Sequence, residues 1–407
     1  MNKAFCNTAI EFVSRESLLS LPKRFSGERI LLLASESALR RFGLEAFFES
    51  LNASNDTLWY KECLPNPGFL EIADCIGFLG DFKPNRIVAL GGGSVIDLAK
   101  GVCAFCYLIG GAAPGREAVK DAILSKKYLQ HQAFPKIVAI PTTAGSGSEL
   151  TSWATIWDKA DSEKYSIDAS FLSPELAVMC PELTYSMPKM LTLASGLDCV
   201  SHALESYWSK HTNPLVMELA KQSLTLSAKH LKNVLNCIFE PGESGVVGST
   251  GCGSTGTGGK IAGGSTDGST DSSIGRDGLM RASVLSALAF SQTRTTACHS
   301  ISYPLTNLYG IEHGLAAALT LGEVYRLNRP ALSNAGEIDD IFSDYGGVQR
   351  FLDSVCDGIT TLRLSSFGVS IDDIPKIVSK AFTMGRIDNN PVDLSENDVF
   401  GILKNCM

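Results

Sequence analysis

The run Arg86-Ile87-Val88-Ala89-Leu90 leads straight into Gly91-Gly92-Gly93-Ser94, and from Val95 to Ile109 apolar residues recur at helical spacing. A strand this uniformly apolar is buried on both faces, as in a parallel sheet covered by helices and not in a half-wetted antiparallel one. Arg29-Ile30-Leu31-Leu32-Leu33-Ala34, followed by a helical pattern from Ser37 to Leu51, repeats the arrangement. Lys136-Ile137-Val138-Ala139-Ile140 supplies a third strand. Strands alternating with helices commit this part of the chain to an open α/β sheet. After about Pro188 the texture changes, and Met217 to Phe239, Leu279 to Ser291 and Ile371 to Ala381 carry helical patterns with few strand signals. The expected division is an α/β domain over residues 1–187 and an all-helical domain over 188–407. Two domains suit a chain of 407 residues.

One stretch fits neither part. Residues 242–278 hold 13 of the 38 glycines, mixed with Ser, Thr and Asp. So little apolar surface cannot offset the entropy of ordering, so a mobile surface insertion without chemistry is expected there. The 12 cysteines are scattered through apolar surroundings, which fits buried thiols in a reducing cytoplasm. Cys103 and Cys106 form a C-x-x-C, but no second pair accompanies them, so core packing is the expected role. The start, Met1-Asn2-Lys3-Ala4-Phe5-Cys6, lacks a charged segment followed by an apolar one, and no apolar run spans a bilayer. A cytoplasmic location without membrane contact is expected. A net charge of −8 repels phosphate backbones, so nucleic acid is not an expected partner, whereas a basic pocket for a small anion is allowed.

Glycines at Gly91-Gly92-Gly93 let a backbone approach an anion, and Ser94 opens a helix whose free N–H groups favour negative charge. This is a diphosphate cradle, although it is not G-x-G-x-x-G. A second such loop, Pro141-Thr142-Thr143-Ala144-Gly145-Ser146-Gly147-Ser148-Glu149, follows the third strand. Ligands lie outside the carboxyl ends of parallel strands, so both loops should face one crevice. The second half contributes a different chemistry. Asp198 and His202, four apart in a helical pattern, share one helix face. His299 and His313 lie 14 residues apart in a chain with six His. One carboxylate and three imidazoles suit a divalent transition metal, although spacing alone leaves ordinary core histidines as open.

Taken in order, these motifs resemble the iron-containing, or group III, alcohol dehydrogenases. The likeness runs almost end to end, excepting the Gly-rich stretch. It rests on Pro65-Asn66-Pro67, on Gly91 to Ser94 with Asp97 and Lys100, and on Pro141 to Glu149. It continues through Gly196-Leu197-Asp198, Ser201-His202-Ala203-Leu204-Glu205, His299, His313-Gly314 and Asn389-Asn390-Pro391. The resemblance implies a dinucleotide-binding α/β domain joined to a helical, metal-binding one. It implies Asp198, His202, His299 and His313 as ligands of Fe2+ or Zn2+, and an NAD(P)H cofactor held along Ser35, Gly91, Gly92, Gly93, Ser94, Asp97, Lys100, Thr142, Thr143 and Ser146. A small aldehyde or alcohol is the implied partner, and a homodimer is an allowed assembly.

The chain departs from the family pattern twice. Where many members have a further His four residues after the third ligand, thought to relay a proton, Tyr303 stands here. Where NAD-preferring members often have an Asp after the second strand, Ser35 stands here, which removes a repulsion against a 2′-phosphate and leans toward NADPH, with Glu36 opposing in part. Within the family, Ala154-Thr155-Ile156-Trp157-Asp158, Lys164-Tyr165-Ser166 and the run Thr293 to Tyr303 resemble the phosphonoacetaldehyde reductase branch. Arg294 would then grip a phosphonate, with Thr295, Thr296 and Ser300 as hydroxyl donors, since a dianion calls for charge-assisted bonds. The expected reaction is reduction of phosphonoacetaldehyde to 2-hydroxyethylphosphonate. The alternatives are a general short-chain alcohol or aldehyde dehydrogenase, another reaction on the same architecture, and a non-catalytic nucleotide sensor.

Overall fold

The computed structural model describes residues 5–109, 114–130, 133–158, 163–238 and 272–407. Six strands, β1 (Ala9–Phe12), β2 (Arg29–Leu33), β3 (Asp56–Tyr60), β4 (Arg86–Gly91), β5 (Lys136–Pro141) and β8 (Leu176–Met179), form one parallel sheet in the order β1-β8-β5-β4-β2-β3. Between β5 and β8 the chain makes a separate antiparallel hairpin, β6 (Trp153–Asp158) with β7 (Glu163–Asp168). Alternate residues of the central strands feed two cores. Leu31, Leu33, Ile87, Ala89, Ile137 and Ala139 face one side, and Ile30, Leu32, Val88, Leu90, Val138 and Ile140 the other. Burial on both faces is why these strands read as continuous apolar runs.

After β2 the chain moves outward to β3 and then returns to β4 on the other side of β2, which places a switch in strand order at their carboxyl ends. Gly91 is registered opposite Pro141, so the glycine-rich loops after β4 and β5 leave the sheet at the same level. The expected helix from Ser37 to Leu51 is instead two, α1 (Glu36–Phe42) and α2 (Glu45–Ser54). Gly43, at φ +58°, ends the first in a left-handed turn that an L side chain rarely adopts. Helix α3 (Gly93–Phe105) starts directly after the β4 loop. Cys103 within it is buried and its thiol points to the Pro135 carbonyl. The eleven cysteines of the described residues are all free.

From Lys189 onward the structure is helical, as the change of texture leads one to expect. Helices α4 (Lys189–Trp208), α5 (Pro214–Asn236) and α6 (Ser272–Thr293) pack together, and α7 (Ala297–Tyr309) and α8 (His313–Leu319) complete the site. Pro214 begins α5 where its missing N–H costs nothing, and the Asn213 side chain caps the helix by accepting from Leu215 and Val216 N–H. Their core extends into the sheet region through Ala144, Leu150, Ala177 and Met179, so helices and sheet share apolar packing. The segment Ile371 to Ala381 is a 3-10 turn (Ile371–Asp373) and one short helix (Ile374–Val378), not a long helix. The stretch 242–278 needs a similar correction. Ser272 to Gly278 begin α6, with Gly275 packed on Val234 and Gly278 on His230, and the remainder lies outside the described residues. No helix among the described residues is long and apolar enough to cross a membrane.

Candidate active site

One end of the site is built by backbone. Gly92 is the N-cap of α3 and no side chain caps the helix, which leaves its first N–H groups free to meet an anion. Gly92, Gly93 and Ser94 line a cavity of about 460 Å³, together with Thr142, Thr143 and Ser146 from the β5 loop. A Cβ on Gly93 would sit 2.6 Å from Ser146 Oγ, so glycine is what lets the two loops close on each other. The donors and the close backbone approach fit a diphosphate. Asp97 also lines the cavity, but its carboxylate accepts from Ser148 Oγ at 2.9 Å and from Thr155 N at 3.0 Å, and thus holds the loop.

Lys100 sits otherwise than expected. It is fully buried, and its ammonium donates to Ser148 O, Thr151 Oγ1 and Trp153 O at 2.6 to 2.9 Å. All three donors are used within the protein, so Lys100 orders the segment that leads into β6 and does not face the cavity. Ser35 lies at the end of β2 as the N-cap of α1, where its hydroxyl accepts from Ala38 N. Gly91 ends β4 behind the cavity wall, packed on Val95.

At the other end of the same cavity, three elements bring their side chains to one point. Asp198 and His202 come from one face of α4, His299 from the first turn of α7 and His313 from the start of α8. Asp198 Oδ1 lies 3.8 Å from His202 Nε2, 3.3 Å from His299 Nε2 and 4.0 Å from His313 Nε2. Ligand atoms of Asp198, His202 and His299 all fall within 4.8 Å of one another. Burial pushes the imidazoles of His202 and His313 down, to about 4 and about 3, which keeps them neutral with a lone pair to give. Burial alone would raise the Asp198 carboxyl, but the surrounding imidazoles, His202 foremost, hold it well below the usual carboxylate range. One carboxylate oxygen among three imidazole nitrogens fits Fe2+ or Zn2+. The approach of α8 depends on Gly314, where a Cβ would run into the Ala194 carbonyl and the Asp198 side chain.

Behind His299 stands Glu205, fully buried, a residue to which the motif reading gave no role. Its Oε2 pairs with His299 Nδ1, and its Oε1 accepts from Thr296 N, Thr296 Oγ1 and Cys298 N at 2.7 to 3.0 Å. One carboxylate thereby caps the start of α7 and fixes the His299 ring so that Nε2 faces Asp198. Metal-ligating histidines commonly have such a partner. A signal for it was present, since positions 198, 202 and 205 share one helix face.

These features match a known family. Family models described as iron-containing alcohol dehydrogenase and as the C-terminal part of the Fe-containing alcohol dehydrogenases match residues 10–181 and 264–407. The chain belongs to the iron-containing alcohol dehydrogenase family. Alcohol dehydrogenase 4 of Schizosaccharomyces pombe is 27% identical over 395 residues, covering 94% of this chain and 84% of that protein. A phosphonoacetaldehyde reductase of Streptomyces viridochromogenes is 28% identical over 332 residues, covering 78% of this chain and 74% of that one. The fold is also that of a sulfoacetaldehyde reductase from Bifidobacterium kashiwanohense solved with NAD+, at a TM-score of 0.78 and 24% identity, covering 98% and 97% of the two chains.

In this dehydrogenase the wall beside the metal set is made by Trp153, Lys164, Phe290, Thr295, Tyr303 and Arg386. The Tyr303 ring lies parallel to that of His313, 6.1 Å away. Burial would raise its phenol, but Lys164, and after it Arg386, pull it down to about 7. Arg294, expected in this wall, is outside it. Its guanidinium pairs with Asp168 and packs against Trp153, 5.3 Å from the ring centroid, in an adjoining pocket. Thr296 is buried and held by Glu205 and by Trp208 Nε1 at 2.9 Å. The Ser300 hydroxyl donates to Ala381 O at 2.5 Å and accepts from Thr383 N. Of the four residues expected to meet substrate, Thr295 alone lines the cavity. Lys164 and Arg386 line it instead, and no motif reading singled out Arg386.

Proposed function

We propose that this family member reduces phosphonoacetaldehyde to 2-hydroxyethylphosphonate, with NADPH or NADH as hydride donor and one Fe2+ or Zn2+ held by Asp198, His202, His299 and His313. The observation that carries the reading is a single cavity with the uncapped N-terminus of α3 at one end and the Asp-His-His-His set at the other. Bound there, the metal would supply Lewis-acid polarisation of the carbonyl, and the nicotinamide a hydride. The protein's part is placement and proton supply. Gly92, Gly93 and Ser94 hold the diphosphate through backbone N–H groups, while Thr142, Thr143 and Ser146 line the path toward the reacting centre.

The carbonyl carbon gains a hydride and its oxygen gains a proton, so each turnover consumes one proton. Tyr303, beside the metal set, is the group proposed to deliver it, because Lys164 and Arg386 pull its phenol down to about 7, close to the working pH. The relative from Streptomyces viridochromogenes supports the choice of aldehyde. NADPH use is supported at Ser35, and Glu36, the acid next to it, is paired with Arg40 at 3.0 Å and lies 3.9 Å from Lys61. The S. pombe relative favours a second reading, a general short-chain alcohol dehydrogenase. Steady-state kinetics with phosphonoacetaldehyde and propanal, each with NADH and NADPH, decide between them. The proposal expects phosphonoacetaldehyde to have the higher kcat/KM, and a preference for propanal overturns it.

A further inference from the structure

Buried cations elsewhere among the described residues have partners. Arg86 is paired with Glu28, Lys100 donates to Ser148 O, Thr151 Oγ1 and Trp153 O, and Arg276 donates to Thr192 Oγ1 and Met187 O. Two cations of the substrate wall differ. Arg386 is only 7% exposed, and its Nη1 is buried without a hydrogen-bond partner. Lys164, half-buried, places its ammonium 3.3 Å from the centroid of the Tyr303 ring and hydrogen-bonds with the Tyr303 phenol. Among the described residues neither side chain is in an ion pair, although both line the cavity of the metal set. The acids nearby are already engaged or lie to one side. Asp168 holds Arg294, Asp97 accepts from Ser148 and Thr155, and Glu312 lines the same cavity without pairing with either cation.

The position of Arg386 is fixed by its surroundings. Asn389 donates to Gly385 O at 2.9 Å and to Thr295 O at 3.2 Å, tying the loop that carries Arg386 to the segment just before α7. The guanidinium lies 5.8 Å from the Trp153 ring centroid, so one indole packs beside both Arg386 and Arg294. Among the described residues neither cation has a carboxylate partner, the two repel each other, and Tyr303 is the acidic group on which both act. An anion entering the cavity would meet both needs at once.

We infer that Arg386 and Lys164 form a subsite for the anionic tail of the substrate, so that the site takes short aldehydes ending in a phosphonate, sulfonate or carboxylate. The inference rests on the reading that this cavity reduces an aldehyde, and it assigns to Arg386 and Lys164 the grip that the sequence suggested for Arg294. With the carbonyl held at the metal set and the tail at Arg386, a two-carbon substrate is fixed at both ends, which is how positioning lowers a barrier.

The test compares kcat/KM for phosphonoacetaldehyde and sulfoacetaldehyde with that for propanal in the parent, Arg386→Met, Arg386→Lys and Lys164→Met. The expected result is a fall in the anionic-to-neutral ratio of about thirtyfold or more in Arg386→Met, as when one partner of a buried charged contact is truncated. Arg386→Lys should recover part of the ratio, and Lys164→Met should lower it in the same direction. Binding of phosphonoacetate, followed by tryptophan fluorescence, should weaken in parallel, which reads the subsite without turnover. An unchanged ratio in both Met variants overturns the inference and leaves the two cations as tuners of Tyr303. A parent enzyme that prefers sulfoacetaldehyde to phosphonoacetaldehyde, with the ratio still lost in Arg386→Met, overturns the phosphonate reading alone.

Discussion

Replacing Glu205 by Gln tests how far the metal set depends on a residue that touches no metal. The carboxylate accepts from Thr296 N, Thr296 Oγ1 and Cys298 N through Oε1 and meets His299 Nδ1 through Oε2. A carboxamide has one acceptor oxygen. Facing Thr296 and Cys298 satisfies three donors, so the –NH2 must face His299. The imidazole then has to present Nδ1 as acceptor, which leaves the proton on Nε2, the atom that faces Asp198. Loss of a charge-assisted bond of this kind is worth about 1.5–3 kcal/mol. Since about 1.4 kcal/mol is a factor of ten, metal affinity should fall roughly 10- to 100-fold, the range seen for such partners. Competition with a chromophoric chelator, read alongside circular dichroism to establish that the fold is intact, measures it. An affinity within about threefold of the parent would refute the reasoning, because His299 would then be oriented by something else.

Three further outcomes follow from the geometry. Tyr303→Phe keeps the ring beside His313 but removes the phenol, and should lower kcat by about 100-fold or more, a typical size for a lost acid–base group, with metal content unchanged by elemental analysis. Gly314→Ala forces a Cβ against the Ala194 carbonyl and Asp198, and should cost about 1–3 kcal/mol of stability by denaturant titration while lowering metal affinity. Ser35→Asp should raise KM for NADPH at least about tenfold more than KM for NADH, because a carboxylate there repels the 2′-phosphate.

The central strands were legible because β2, β4 and β5 are buried on both faces, which leaves an uninterrupted apolar run. Edge strands β1 and β3 are only partly buried and carry polar residues such as Glu11 and Asp56, so no such run marks them. The break at Gly43 was hidden because apolar spacing continues across it. Asp198 and His202 could be paired from their spacing within one helix. The remaining functional contacts cross long separations: Lys164 and Arg386 lie on a hairpin strand and on a loop near the end of the chain, and only the packing of α7 against both brings them to one cavity. Arg294 misled for the same reason. Its neighbour in sequence is His299 of the proposed metal set, yet its left-handed backbone, at φ +61°, accompanies a guanidinium engaged with Asp168 on the β6–β7 hairpin.

The central claim is that aldehyde reduction depends on a metal held by Asp198, His202, His299 and His313. Stripping the protein with a chelator, reloading it stepwise with Fe2+ or Zn2+, and measuring NADPH-linked reduction of phosphonoacetaldehyde against bound metal tests it most directly. The account predicts negligible rate in the stripped protein, a rate rising in proportion to occupancy up to one ion per chain, and neither tight binding nor recovery in His299→Ala. Full turnover by the stripped protein, or parent-like metal content and rate in His299→Ala, would contradict it.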